Sequence, residues 1–146
     1  MRTLRALWGM ARPLILVSVV LVYANGLLIA RAHGYPLRWA AIVWAGAALL
    51  LVSLSIHYTN EYADIETDAL TTRTRYSGGS GVLPAGLVPR ELALQAAWIT
   101  LLLGLTVAGV GLRLGILNPV ILIRLLIGAF FGWMYSLPPL KLAWRG

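Results

Sequence analysis

The chain has no cysteine and only five acidic residues among 146, and charged residues of both signs make up 12% of it. Without cysteine there is no disulfide framework and no thiolate metal site, and with two histidines there is no zinc signature. A soluble domain is about half apolar and about a quarter charged. Here 60% of residues are hydrophobic and mean hydropathy is +0.81. That leaves too little polar surface to cover a water-soluble globule, so the composition points to a membrane protein. The net charge is +7, almost all of the positive charge being arginine. Those arginines lie between apolar runs, which fits membrane flanks and anionic lipid and argues against nucleic acid as a partner.

Four apolar segments stand out, at about residues 14–30, 39–59, 92–112 and 116–136. Each is close to the roughly 20 residues that cross a bilayer as a helix. Continuous apolar runs differ from the alternation of barrel strands, and lipid permits only helices or closed barrels. The expected fold is therefore an all-α integral membrane bundle of four transmembrane helices, one domain over 1–146. The first segment has a basic lead but no small-residue cleavage site, so it reads as a retained helix and not a signal peptide. Arg2, Arg5, Arg12, Arg73, Arg75, Arg90, Lys141 and Arg145 fall on one side of the spans, and Arg31, Arg38 and Arg113 on the other. The positive-inside rule puts both termini and the connection 69–91 in the cytoplasm, with the chain in a cell inner membrane. That connection holds "YSGGSGVLPAG", in which glycine permits positive φ and proline breaks helix.

Negative charge is concentrated in "NEYADIETD", which carries Glu61, Asp64, Glu66 and Asp68. No proline or glycine interrupts the chain between Ala47 and Asp68, so one helix is expected from about Trp39 through Asp68. On it Asn60, Asp64 and Asp68 follow an i, i+4, i+8 track, Glu61 lies close to the same stripe, and Glu66 points away. Like charges at this spacing repel, and acids at a helix C-terminus oppose the macrodipole. Something positive must compensate. A stripe of hard oxygen donors suits magnesium, which takes one or two carboxylates plus water and substrate phosphate. Arg73 and Arg75 follow and suit bidentate phosphate contact, and glycine-rich backbone can form an anion nest. Together these suggest a metal-bridged diphosphate. The alternative is a solvated helix end whose acids pair with Arg73 and Arg75.

"NEYADIETD" resembles the N-D-x-x-D-x-x-x-D motif of the UbiA-type intramembrane prenyltransferases, with Glu61 where that family usually has Asp. "YSGGSGVLPAGLVPRE" resembles the loop that follows it, particularly in the dihydroxynaphthoate (menaquinone-pathway) branch, and "YSLPPLKLAWRG" resembles the segment after the fourth helix. The resemblance implies a magnesium-dependent transfer of a polyprenyl group from its diphosphate to an aromatic quinone precursor. It implies that Asn60, Glu61, Asp64 and Asp68 hold metal and diphosphate, with Asp64 and Asp68 catalytic. It further implies that Arg73, Arg75 and Lys141 touch diphosphate oxygens and that Tyr135 borders the reacting carbon, unless Tyr135 is an interfacial anchor. The family has about nine helices and a second aspartate motif, whereas no acid follows Glu91 here. The expectation is thus an N-terminal half with little activity alone, completed by a partner chain or a second copy. Prenylation of hydroxybenzoate or another lipid acceptor is one alternative, and a cation-binding membrane scaffold or transporter fragment another.

Other residues have plainer roles. Asn25 within the first span reads as interhelical glue. His57, one turn before Asn60, reads as a hydrogen-bonded core histidine or a cavity wall. Arg124 inside the fourth span should face a polar partner or snorkel. Trp8, Trp39, Trp133 and Trp144 lie near span ends, as interfacial anchors do.

Overall fold

Proline and asparagine set where the helices start. In the computed structural model, which describes residues 1–72 and 79–145, Pro13 and Pro119 each open a long helix at a position where a missing N–H costs nothing. Asn118 caps the second of these, its side chain accepting from the Val120 N–H at 2.9 Å. The helices are α1 (Arg2–Met10), α2 (Pro13–Ala32), α3 (Trp39–Ala63), α4 (Ile65–Leu70), α5 (Arg90–Arg113) and α6 (Pro119–Ser136), followed by a 3-10 turn at Leu142–Trp144. No strand occurs among the described residues. Four helices are long and apolar enough to cross a membrane: α2, α3, α5 and α6, with 20, 25, 24 and 18 residues. The fold is the all-α four-span membrane bundle that the composition predicts.

Successive spans run antiparallel. Arg12 at the start of α2, Arg90 at the start of α5 and Ser136 at the end of α6 all bond to residues at the end of α3. One end of the bundle therefore gathers the acids, and the loops 33–38 and 114–118 mark the opposite end.

α3 and α5 form the central pair. α5 buries Ala93, Ala97, Gly104, Ala108 and Gly111, a seam of small residues that lets the two backbones approach, as membrane helices require where hydrophobic drive is absent. At Gly104 an added Cβ would sit 3.1 Å from the Ala48 carbonyl oxygen of α3. α6 packs against both α3 and α5, where the buried Trp133 donates its indole N–H to Ser55 Oγ at 2.8 Å and lies 4.6 Å, ring centre to ring centre, from Trp98. Trp133 is thus core and not the interfacial anchor its place near a span end suggests; Trp8, Trp39 and Trp144 are exposed.

Two elements differ from expectation. The basic lead of the first span is itself a helix, α1, which tucks Ala6 and Met10 into an apolar cluster with Tyr58, Val82, Leu83, Ala93 and Ala97. The single helix expected over 39–68 breaks at Asp64, whose φ of −95° and ψ of 9° lie in the bridge region between α3 and α4. Acids packed at a helix C-terminus oppose its dipole, and the Thr67 hydroxyl donates to the Asp64 carbonyl at 2.9 Å. α2 has no buried residue. It meets α3 through Tyr23, whose hydroxyl donates to the Ile42 carbonyl at 2.9 Å. Asn25 is exposed on α2, not glue between helices.

Candidate functional site

Arg12 enters the site by way of a strained turn. It stands before Pro13, which disfavours the right-handed helical region for the preceding residue. It adopts left-handed backbone instead, φ 51° and ψ 65°, rare for a residue with a Cβ. Three contacts hold the turn there. His57 Nδ1 meets the Ala11 carbonyl at 2.7 Å, the Tyr58 hydroxyl donates to the Leu7 carbonyl at 3.3 Å, and Glu61 takes the Arg12 guanidinium. His57 is buried in this contact, as a hydrogen-bonded core histidine.

Glu61 is 1% exposed, and its carboxylate is surrounded by donors. Oε1 accepts from Arg12 Nε at 2.9 Å, from Arg12 Nη2 at 2.7 Å and from the Ser80 N–H at 2.8 Å. Oε2 accepts from the Ser80 hydroxyl. Three of these four bonds fall on Oε1 and one on Oε2. Glu61 thereby ties the glycine-rich loop and the α1–α2 turn to the end of α3. The positive charge that the acidic run requires comes from Arg12. Arg73 and Arg75, expected to supply it, lie outside the described residues.

The other three stripe residues stay together despite the break. The Asp64 N–H donates to the Asn60 carbonyl at 2.9 Å, and the Asp68 N–H to the Asp64 carbonyl at 2.8 Å. These two bonds bridge the bend, although α3 ends at Ala63 and α4 begins at Ile65. The Ser136 hydroxyl at the end of α6 donates to Asn60 Oδ1 at 3.1 Å and lies 3.5 Å from Asp64 Oδ2. Gly79 presses on Asp68: a Cβ there would overlap the carboxylate, and its φ of 65° is one that side chains rarely adopt. Only glycine lets the loop close over this acid. Gly79→Ala is expected to push the loop or the carboxylate aside and to lower magnesium-dependent diphosphate binding at least about tenfold, with a stability loss of about 1–3 kcal/mol. Binding and thermal unfolding of the purified variant check this.

Asp64 and Asp68 both have their carboxyls pushed above the ordinary range. For Asp64 the main cause is burial, opposed by Arg12 and by the Ser136 hydroxyl, with Glu61 adding to the rise. For Asp68 burial is again largest, followed by repulsion from Glu61, relief from Arg12 and repulsion from Asp64. A divalent cation would offset both causes. Among the described residues no three carboxylate or imidazole groups form a ready-made metal cage. Two partly desolvated carboxylates with an amide oxygen beside them fit magnesium, which is usually held by one or two carboxylates and completed by water and substrate.

Glu66 and Lys141 stand apart from this track. They line an adjoining polar cavity of about 370 Å³, together with Tyr62, Thr67, Arg90 and Ser136, the last of which also bonds Asn60. Arg90 is fixed there, donating to the Tyr62 carbonyl at 3.0 Å and lying 4.4 Å from the centre of the Tyr62 ring. Lys141 has left-handed backbone, φ 42°, and its Nζ lies 5.7 Å from the Trp144 ring centre. Tyr135 is exposed on α6. Arg12, Ser80 and Ser136 are site residues that pattern reading missed. Arg12 looked like one of several flanking charges, and serines in turn sequences carry no periodic signal.

Four helices long and apolar enough to cross a bilayer, packed as one all-α bundle, define an integral membrane helical protein. The chain matches the UbiA prenyltransferase family over residues 6–144 and belongs to it. Its class of activity is prenyl transfer. No curated protein matches the chain, and no solved structure does.

Proposed function

We propose that the acidic end binds a polyprenyl diphosphate through magnesium and passes the prenyl group to an aromatic quinone precursor of the dihydroxynaphthoate kind. The observation that carries this reading is the gathering of Asn60, Asp64 and Asp68 at the end of α3, where the Ser136 hydroxyl bonds Asn60 and reaches Asp64 and the two carboxylates are partly buried. Magnesium bound by Asp64 and Asp68 with Asn60 would neutralise charge on the departing diphosphate. Ser136 orients Asn60, and Gly79 brings loop backbone against Asp68. Glu61 and Arg12 act one step back, fixing the loop that covers the metal. Arg73, Arg75 and Lys141 are proposed diphosphate contacts and Tyr135 a neighbour of the reacting carbon. The site faces the cytoplasm, where soluble diphosphates are made.

Titration of the purified protein with magnesium, with and without farnesyl diphosphate, tests this. Each ligand is expected to tighten the other by about 5- to 150-fold, the usual range of coupling between linked sites. Independent binding of the two ligands would sink the reading and favour a cation-binding scaffold.

A further inference from the structure

The helix α1 is apolar on two faces. Its inner face sends Ala6 and Met10 into the cluster with Tyr58, Ala93 and Ala97. Its outer face carries Leu4 and Trp8, one turn apart and both exposed. At about 100° per residue, Leu4 and Trp8 each stand roughly 160° around the helix from Ala6, and Arg5 and Arg2 fall between the two faces on one flank.

The packing of the inner face sets the depth of α1. Tyr58 lies five residues before the end of α3 and Ala97 seven residues after the start of α5. The helix therefore meets the bundle roughly 8–10 Å inside its acid-bearing end. α3 and α5, with 25 and 24 residues, are about 37 Å long, some 7 Å longer than a hydrocarbon core of about 30 Å. That places α1 where hydrocarbon gives way to head groups, the level at which an interfacial helix beds its apolar face.

On the basic flank, Arg2 and Arg5 line a cleft of about 410 Å³ with Ala6, Val82, Gly86 and Leu87. Its two walls are fixed to each other. A Cβ added at Gly9 would sit 3.1 Å from Val82 Cγ2, and the N–H of Ser80, two residues earlier, bonds Glu61 at 2.8 Å. The two guanidinium groups are the only charged side chains of the cleft, and the rest of its lining is apolar. Such a lining complements a phosphate with hydrocarbon beside it, and arginine's planar fork suits phosphate oxygens in two-point contact. The cleft shares no residue with the Asn60, Asp64 and Asp68 cluster. Tyr58, on which α1 packs, projects roughly 160° around α3 from Asn60 and about 120° from Asp64, so α1 lies on a different side of that helix.

We propose that α1 is an interfacial helix that seats an anionic membrane phospholipid, the phosphate held by Arg2 and Arg5 in the cleft and an acyl chain lying against Leu4 and Trp8. The site does not depend on the reading of the acidic end. Lipid held there presses α1 onto Val82 and so steadies the loop that Ser80 ties to Glu61.

The test uses the full chain in nanodiscs of mixed phosphatidylglycerol and phosphatidylcholine, with two readouts. By native mass spectrometry, retained phosphatidylglycerol is expected to exceed phosphatidylcholine at least about tenfold, given two basic residues at the head group. Arg2→Gln with Arg5→Gln should remove most of that preference. Arg31→Gln with Arg113→Gln removes the same charge from the opposite end and should leave most of it. The second readout keeps both arginines: a nitroxide on Leu4→Cys, in a chain otherwise free of cysteine, is expected to collide with oxygen dissolved in the lipid and to be shielded from a water-soluble nickel chelate. Equal retention of the two lipids by the unaltered protein overturns the proposal, as does an unchanged preference in the Arg2/Arg5 variant. Equal loss in the Arg31/Arg113 control overturns it by reducing the effect to general charge. A label open to the nickel chelate would put this face in water, and one shielded from both reagents would put protein over it; either result overturns the proposal as well.

Discussion

Arg12→Met is expected to destabilise the folded protein by about 3 kcal/mol, the low end for breaking one partner out of a buried ion pair. The low end applies because the Arg12 side chain keeps 24% of its exposure while Glu61 keeps 1%. What remains is a buried carboxylate with Ser80 as its donor and no counter-charge. A total stability of about 5–15 kcal/mol makes such a loss visible in thermal or denaturant unfolding in detergent. Arg12→Met combined with Glu61→Gln should recover part of it, because the glutamine leaves no charge to bury. A double-mutant cycle should report coupling of about 1–3 kcal/mol. Glu61→Asp separates two roles for residue 61. If this carboxylate is a metal ligand, the shorter acid, which the family usually carries there, should serve as well or better. If it is the tie between the α1–α2 turn and the loop, removing one methylene withdraws it from Arg12 or from Ser80. The structure favours the second outcome: unfolding at lower temperature and weaker diphosphate binding together. An unchanged melting temperature in Arg12→Met would show that the pair does not hold the turn.

The four spans were legible because lipid leaves so few solutions: an apolar run of about 20 residues in a chain with little charge is a helix. The track through Asn60, Asp64 and Asp68 was legible for a similar reason. It rests on a period of 3.6, and two backbone bonds, Asp64 to Asn60 and Asp68 to Asp64, bridge the place where Asp64 leaves helical geometry. Glu61 shared the motif and the approximate face, yet its surroundings depend on Arg12, which is 49 residues away and reaches it through a left-handed turn. Local periodicity carries no information about such a pairing. The α1 helix was hidden because it is short and amphipathic, and its buried residues are only Ala6 and Met10. Trp133 was misplaced because nearness to a span end is a statement about depth, whereas burial depends on which neighbour, here Ser55, faces the ring.

Asp64→Asn and Asp68→Asn should separate stability from function. In an enzyme that carries both carboxylate motifs, each is expected to cut prenyl transfer at least about a hundredfold, the usual cost of removing one group that stabilises developing charge. Magnesium-dependent binding of farnesyl diphosphate should fall with it, so the effect can be read by binding as well as by turnover. The metal-free fold should respond in the opposite direction. Both carboxyls are pushed up by burial and by acidic neighbours, so their ionised forms are disfavoured in the folded chain relative to the unfolded one. The sign follows: above the folded value of each group, ionisation opposes folding, and stability improves as pH falls through that value toward the unfolded one. A neutral asparagine removes the opposition at neutral pH. Each variant should therefore melt at or above the parent temperature without magnesium and lose the extra stabilisation the parent gains when magnesium and diphosphate are added. A structural acid behaves the other way, as Glu61 should, because its removal strands Arg12 and frees the loop. Variants of Asp64 and Asp68 that melt well below the parent while binding diphosphate normally would assign these carboxylates to the scaffold and leave the metal without its ligands.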